Sequence, residues 1–311
     1  MASLMQTKLE LILPAHNEEG NIVPIYDEIK LALASSNYEY TILFVDDGST
    51  DKTLSIIKEL AQSDTKVKYI ELSRNFGHQN AIKAGLDASD ADVIIMMDCD
   101  LQHPPHLINE LLNKYEQGYE IVRTHRIENE TASYFKRKTS NIFYKVLNHL
   151  SDITLEQGSA DFRLVSGKAI DQLKSFNEFD LFYRGLIKWM GFKQISIQYH
   201  PEDRLSGRTK YTYKKMVSFG LNGFTSFSTK PLYFAAYLGM AFSLLSVCYI
   251  PYIVYAFYNG TEVRGWASVL ITVVFFGGLN LMILGIIGVY LSKLFAQSKN
   301  RPHYIIKESN L

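Results

Sequence analysis

The chain has 311 residues, enough for one large domain or two smaller ones, and its 32 basic and 32 acidic residues give a formal net charge of zero. That balance removes bulk electrostatics as a reason to expect a nucleic-acid partner. The two cysteines, Cys99 and Cys248, lie far apart in unlike contexts, so neither a disulfide framework nor a zinc spacing is present.

The N-terminus lacks the charged-then-apolar layout of a signal peptide, which puts the first two thirds of the chain in the cytosol. Residues 8–13 read as a strand stopped by Pro14. The polar run Ala15-His16-Asn17-Glu18-Glu19-Gly20-Asn21 follows, then Ile22, Ile25, Ile29 and Leu33 at helical spacing. Residues 41–45 form a second strand ending in Asp46-Asp47-Gly48-Ser49-Thr50-Asp51. That run joins turn residues to a helix N-cap, with Leu54, Ile57 and Leu60 on one face of the next helix. A third strand spans 67–72, followed by Ser73-Arg74-Asn75-Phe76-Gly77-His78 and a helix.

The fourth strand, Val93-Ile94-Ile95-Met96-Met97, runs into Asp98-Cys99-Asp100-Leu101-Gln102-His103, and Pro104-Pro105 open the next helix. On an extended backbone, residues i and i+2 share a face, so Asp98 and Asp100 are expected to emerge together. Two carboxylates so placed repel each other unless a cation sits between them, and hard oxygen ligands suit Mg²⁺ or Mn²⁺. The plain alternative is a strand end with solvated acids.

Residues 119–123 read as a further strand and 131–150 as a helix with Lys136, Arg137 and Lys138 near its start. Gly158-Ser159-Ala160-Asp161 reads as a small-residue turn leading into a short apolar stretch; the alternative role for Asp161, capping a helix from Lys168, suits Ser166 better. A helix over 178–190 and a last strand over 194–199 follow. Residues 202–211 then form a flexible basic loop containing Arg204, Arg208 and Lys210. Residues 213–227 carry an apolar face that suits either an interfacial helix or packing against the soluble domain.

Strands alternating with helices predict an α/β fold, a doubly wound and mostly parallel sheet. Neither Gly-x-Gly-x-x-Gly nor the P-loop pattern occurs. The polar clusters at 14–19, 46–51, 74–77 and 98–102 all follow strands, so they converge on one sheet edge and suggest a nucleotide and metal pocket.

Two uncharged stretches, 231–261 and 265–292, each exceed the roughly 20 apolar residues that cross a bilayer as a helix. Lys210, Lys214, Lys215 and Lys230 precede the first, and Lys293, Lys299 and Arg301 follow the second. The positive-inside bias therefore puts both ends in the cytoplasm. The expected division is a cytosolic domain over 1–210, a juxtamembrane amphipathic helix over 211–230, two transmembrane helices over 231–292 and a cytosolic tail over 293–311. Neither span carries an ionisable carboxylate, Lys, Arg or His, which disfavours a proton-coupled transporter.

Pro-Ala-His-Asn-Glu-Glu, Val-Asp-Asp-Gly-Ser-Thr-Asp, Ser-Arg-Asn-Phe-Gly-His-Gln, Met-Asp-Cys-Asp-Leu-Gln-His-Pro-Pro and Ala-Asp-Phe-Arg-Leu appear in the order seen in family 2 glycosyltransferases of the GT-A fold. With Arg-Leu-Ser-Gly-Arg-Thr-Lys-Tyr and two C-terminal spans, nearly the whole chain resembles the polyprenyl-phosphate glycosyltransferases. That branch includes the bactoprenol glucosyltransferases of the GtrB type and dolichol-phosphate mannose synthase. The resemblance implies a GT-A domain with a two-helix transmembrane hairpin. Pro14, Ala15 and Glu18 correspond to the nucleoside-binding loop, Asp46 to the acid on the base or ribose, and Asp47 to a residue ordering that loop. Asp98 and Asp100 match the metal acids, with Gln102 assisting, and Asp161 the acid near the transferred sugar. Arg204, Arg208 and Lys210 match the basic loop that takes the lipid phosphate. Cys99 departs from the Ala often found in bactoprenol members; its side chain is expected to point into the sheet.

The function so implied is inverting transfer of a hexose from a nucleotide diphosphate sugar to a polyprenyl monophosphate, using Mg²⁺ or Mn²⁺, at the cytosolic face of a bacterial inner membrane. UDP-glucose and undecaprenyl phosphate lead; N-acetylglucosamine, a modified sugar and GDP-mannose are the alternatives. A homo-oligomer and a flippase in the same pathway are compatible partners. A non-catalytic nucleotide-sugar-binding scaffold is the competing class. A processive synthase is disfavoured, because neither Trp189 nor Trp266 lies in a Gln-x-x-Arg-Trp motif.

Overall fold

The computed structural model describes residues 7–127, 158–200, 228–259 and 265–311. In chain order the elements are β1 (Lys8–Ala15), α1 (Ile22–Leu33), β2 (Glu39–Asp46), α2 (Thr53–Ser63), β3 (Val67–Leu72), α3 (His78–Ala88), β4 (Val93–Met96), a short 3-10 helix (Pro105–Leu107) and α4 (Ile108–Glu116). Then come β5 (Ile121–Arg126), β6 (Ser159–Ser166), α5 (Gly167–Ser175), α6 (Tyr183–Trp189), β7 (Gln194–Tyr199), α7 (Lys230–Tyr258), α8 (Trp266–Ser298) and β8 (Ile306–Ser309). The expected helix over 131–150, the basic loop and the amphipathic helix over 213–227 lie outside the described residues.

The strands form one sheet in the order β7-β5-β6-β4-β1-β2-β3-β8. It is mostly parallel, as expected, but β6 runs antiparallel to β4 and β5, and β8 antiparallel to β3. The central strands are buried along nearly their whole length because helices cover both faces. Leu9, Leu11 and Leu13 of β1 face α1, α2 and α4, through Ile25, Ile29, Ile57 and Leu111. Ile12 faces the opposite layer, with Ala81, Ile82, Ile170 and Leu186 of α3, α5 and α6. Gly85 lets α3 approach β1, since a Cβ there would lie 2.5 Å from Ile12 Cγ2.

Several expectations change. Pro14 does not stop β1, which pairs with β2 as far as Ala15↔Asp46. The β4 side of β1 already ends at Ile12↔Met96, so proline there interrupts no ladder on that side. The small-residue turn before Asp161 is strand β6, and the helix expected over 178–190 narrows to α6. The C-terminal residues expected as a tail instead supply the last turn of α8 and the edge strand β8.

Chain order β1, β2, β3 grows the sheet one way, and α3 then carries the chain back to place β4 on the other side of β1. This reversal opens a crevice at the carboxyl ends of β1 and β4, where open α/β sheets bind ligands.

Within α8, the 27 residues Thr272–Ser298 are long and apolar enough to cross a bilayer, and they pack against nothing that buries them. It is the one such stretch among the described residues, so the second crossing expected for α7 rests on sequence alone. Phe242 of α7 meets Phe275 and Phe276 of α8 at ring separations of 6.0 and 5.3 Å. The end of α8 is tied to the α/β domain. Gln297 accepts from the Phe179 amide at 2.6 Å and donates to the Asn177 carbonyl at 2.7 Å, and Lys293 pairs with Asp180 at 3.5 Å.

Strand β8 then closes the β3 edge. Asn310 Oδ1 accepts the Tyr69 amide at 2.6 Å, the Ile305 carbonyl accepts the Ser73 amide at 2.9 Å, and Glu308 meets Lys58 at 2.8 Å and the Tyr69 hydroxyl at 2.6 Å. A chain ending at Arg301 loses these bonds and bares an edge strand, at a cost on the order of 3 kcal/mol. The expected fall in melting temperature is about 6–12 °C, checked by calorimetry in detergent; an unchanged transition would show that β8 stabilises nothing.

Candidate active site

Two loops at the carboxyl ends of β1 and β2 are stitched together. The Asn17 amide donates to Ser49 Oγ at 3.0 Å, Asn17 Oδ1 accepts the Thr50 amide at 2.8 Å, and the Glu18 amide donates to Thr53 Oγ1 at 2.8 Å. Glu18 also takes the Asn21 side-chain amide at 2.6 Å, which closes the loop on itself. Asn17 and Gly48 both adopt left-handed backbone. A side chain at Gly48 would strike the backbone of Arg74 and Asn75, at 2.5 and 2.6 Å, so the third loop presses directly on the second.

Asp46 and Asp47 are both buried, with different surroundings. Asp47 accepts the amides of Phe76 and Gly77, at 2.6 and 2.9 Å, locking the loop after β3 to the end of β2. Asp46 accepts only the Ser49 amide among the described residues, at 3.1 Å, and its Oδ1 is buried with no partner there. Burial pushes its carboxyl above the usual range.

The metal acids leave the sheet differently from expectation. Strand β4 ends at Met96, so Asp98 and Asp100 sit in the turn beyond it, and strand alternation does not set their directions. Leu101 takes a left-handed conformation, and Asp100 Oδ1 accepts the Gln102 amide at 3.2 Å. Cys99 is buried as expected, and its thiol reaches the Pro14 carbonyl at 3.5 Å, tying this turn to the nucleoside loop. Asp98 Oδ1 lies 3.5 Å from His78 Nε2, and Oδ2 lies 3.1 Å from His103 Nε2. Desolvation in the cleft pushes the Asp98 carboxyl up, but His78 and His103 outweigh it and hold the group below its ordinary value. Gln102 Oε1 lies 3.5 Å from Arg126 Nη1 at the end of β5.

Asp161 lies within β6, not in a turn, and caps no helix: Ser166 occupies the N-cap position of α5. Its Oδ1 accepts Arg163 Nη2 and, at 3.1 Å, Arg184 Nε; its Oδ2 accepts Arg184 Nη2 at 2.8 Å. His78 Nε2 is 3.7 Å from Oδ2, so this histidine bridges Asp98 and Asp161. Burial would raise the Asp161 carboxyl, but the guanidinium groups of Arg184 and Arg163 hold it far below the usual range. Burial lowers Arg163 to about 10 despite the partner carboxylate.

The structure thus brings Pro14, Ala15, Glu18, Asp46, Asp47, Asp98, Asp100, Gln102 and Asp161 to one sheet edge, while Arg204, Arg208 and Lys210 lie outside the described residues. His78, His103 and Arg163 stand inside motifs quoted from the sequence but had no role there. Arg126, Arg184 and Tyr199 carried no local signal, because their partners are distant in the chain.

Replacing Asp161 by Asn leaves two guanidinium groups facing each other without a counter-charge. The expected loss is about 3–5 kcal/mol of stability, the range for breaking a buried pair, read from denaturant unfolding. The native pKa lies below the unfolded value, so this stabilisation is complete above about pH 4 and fades only as the pH falls toward the native value. A variant as stable as wild type at pH 7 would refute the pairing.

Comparison with known proteins bears on the chemistry of this edge. The pattern of glycosyl transferase family 2 matches residues 10–174. The chain is 38% identical to YkcC of Bacillus subtilis, an uncharacterized glycosyltransferase, over 96% of this chain and 93% of that one. It is 36% identical to the bactoprenol glucosyl transferase of Shigella phage SfV, over 96% and 98% of the two chains. The mannosyltransferase PcManGT of Pyrobaculum calidifontis, solved with GDP-Man and Mn²⁺, shares the fold at a TM-score of 0.50 and 15% identity, over 95% of this chain and 87% of its own. The chain belongs to glycosyl transferase family 2 and is a glycosyltransferase of the GT-A fold.

Proposed function

We propose that this chain transfers a hexose, glucose in the first instance, from a UDP-sugar to undecaprenyl monophosphate, with inversion at the anomeric carbon. The observation that carries the reading is the meeting, at one sheet edge, of a buried carboxylate with an unpartnered oxygen and a turn bearing two partly exposed carboxylates. The similarity to bactoprenol glucosyl transferases along almost the whole chain supports the lipid acceptor.

Asp46 Oδ1 suits a nucleobase N–H or a ribose hydroxyl, since a buried acceptor left without a donor is costly. Pro14, Ala15 and Glu18 form the wall of that subsite, and Asp47 holds the wall in place through the amides of Phe76 and Gly77. Asp98 and Asp100 would hold Mg²⁺ or Mn²⁺, with Gln102 assisting. The two acids fit such an ion, being hard oxygen donors with Asp98 kept ionised. No group of three or more His, Cys, Asp and Glu side chains converges among the described residues, so further ligands would come from the donor's diphosphate. Bound there, the ion supplies positive charge to the departing nucleoside diphosphate.

The attacking group is a phosphate oxygen, largely ionised near neutral pH because phosphate monoesters have a second pKa of roughly 6. No strong base is needed, and Asp161, paired with two arginines, supplies a fixed negative field beside the sugar. Arg204, Arg208 and Lys210 would take the acceptor phosphate. On this reading 1–210 is the cytosolic domain, 211–230 an interfacial helix and 231–292 a two-helix hairpin, with both termini in the cytoplasm.

Purified full-length chain, offered labelled UDP-glucose, UDP-N-acetylglucosamine and GDP-mannose with undecaprenyl phosphate, is expected to label the lipid from UDP-glucose. Lipid labelled from none of the three would overturn the reading and favour a non-catalytic scaffold. Asp100→Ala is expected to lower transfer by about 10²-fold or more while remaining folded in the membrane; full activity with added Mn²⁺ would refute the metal assignment. Lys210→Ala is expected to raise the acceptor KM with little change for the donor, and an unchanged acceptor KM would count against the phosphate clamp.

A further inference from the structure

Resting on the metal reading above, we propose that His103, fixed in one tautomer by Tyr199, is a positioning residue that presets the Asp98 carboxylate for a divalent cation. The two oxygens of Asp98 are treated differently. His103 Nε2 reaches Oδ2 at 3.1 Å from a side chain only 8% exposed, a hydrogen-bond distance in a dry setting. His78 Nε2 lies farther from Oδ1, at 3.5 Å, and its side chain is 39% exposed. Oδ2 is committed to the protein interior, and Oδ1 faces the wetter side.

The ring of His103 is held on both faces and at its other nitrogen. Its centroid is 5.5 Å from that of Phe162 and 5.9 Å from that of Tyr199, and Nδ1 lies 2.8 Å from the Tyr199 hydroxyl. An ionised carboxylate can only accept, so in the neutral ring Nε2 carries the hydrogen and Nδ1 is bare. The Tyr199 hydroxyl must then donate to Nδ1. Tyr199 is the last residue of β7 and is buried, so the chain Tyr199, His103, Asp98 runs from the rigid sheet to the cleft without an exposed link until the carboxylate.

This arrangement removes rotation of the carboxylate about its Cβ–Cγ bond before any cation arrives. Binding then loses less conformational freedom, and a ligand oxygen is presented in a set direction. Hydrogen bonds of this sort to metal-binding carboxylates influence affinity by about 10- to 100-fold. A histidine that only filled the core between Phe162 and Tyr199 would have no such effect.

The test is Mn²⁺ binding to the full-length chain in detergent with UDP present and no acceptor, read from the electron paramagnetic resonance signal of free Mn²⁺. His103→Phe keeps an aromatic ring but no donor, and is expected to raise the Mn²⁺ Kd by about 10- to 100-fold. His103→Gln can place an amide N–H near the Nε2 position and is expected to stay within about threefold of wild type. Tyr199→Phe leaves the ring in place without its anchor and is expected to weaken binding by about threefold to tenfold, within the range for outer-shell partners; it carries the test should His103→Phe not fold. Wild-type affinity in both His103→Phe and Tyr199→Phe, or equal losses in His103→Phe and His103→Gln, would overturn the positioning role alone. Absence of Mn²⁺ binding by wild type would overturn the metal assignment itself, and the inference with it.

Discussion

Crowded negative charge is the constraint on which this sheet edge depends. Asp46, Asp47, Asp98, Asp100 and Asp161 all follow or end strands there, and like charges so placed raise one another's pKa unless each is compensated. The compensations differ in kind. Asp47 is neutralised locally by two backbone amides, Asp161 by two guanidinium groups, and Asp98 by two imidazoles. These differences assign the work. A carboxylate whose lone pairs are filled by fixed donors serves as architecture and field. One with a buried oxygen left over, as in Asp46, is built to be completed by a ligand.

The antiparallel strand β6 makes the second half of this arrangement. Inserted between β4 and β5, it pairs Met96 with Arg163, so the residues just beyond, Asp98 on one strand's exit and Asp161 on the other, come within reach of one histidine. His78 opens α3, and the amide of the preceding residue, Gly77, is held by Asp47. Nucleoside loop, third loop and metal turn are thus mechanically one unit: Asp47 fixes the Gly77 amide, His78 follows, and Asp98 and Asp161 meet it. Cys99 closes the circuit through the Pro14 carbonyl. A change in any one loop is transmitted through backbone contacts, not through solvent.

Much of this was legible in the sequence, because apolar runs ending in polar clusters locate strand exits whatever the details. What was not legible shares a physical cause. Strand β6 hides because one of its faces carries Asp161 and Arg163, a buried ion pair that reads as polar and breaks the pattern of a covered strand. Strand β8 hides because Ile306-Lys307-Glu308-Ser309 is short, exposed and mostly polar, and is specified by ion pairs to Lys58 and Glu71 more than two hundred residues away in the chain. Pro14 misled because the rule that proline ends strands holds only where both neighbours need its missing N–H. Arg184 gave no signal since its meaning lies wholly in its bidentate grip on Asp161.

The state of Asp161 also bears on why the chemistry at this edge can do without a base. A general base must hold a lone pair free, near the proton it takes, at a pKa near the working pH. Asp161 fails on both counts: its oxygens already accept from Arg163 and Arg184, and its carboxyl is held far below the usual range. An alcohol acceptor would therefore go unactivated here, whereas a phosphate that arrives ionised asks for cations to hold it and nothing to deprotonate it. The saturation of Asp161 is thus a property of the folded site that favours a phosphate nucleophile over a sugar hydroxyl, independently of any likeness to other chains.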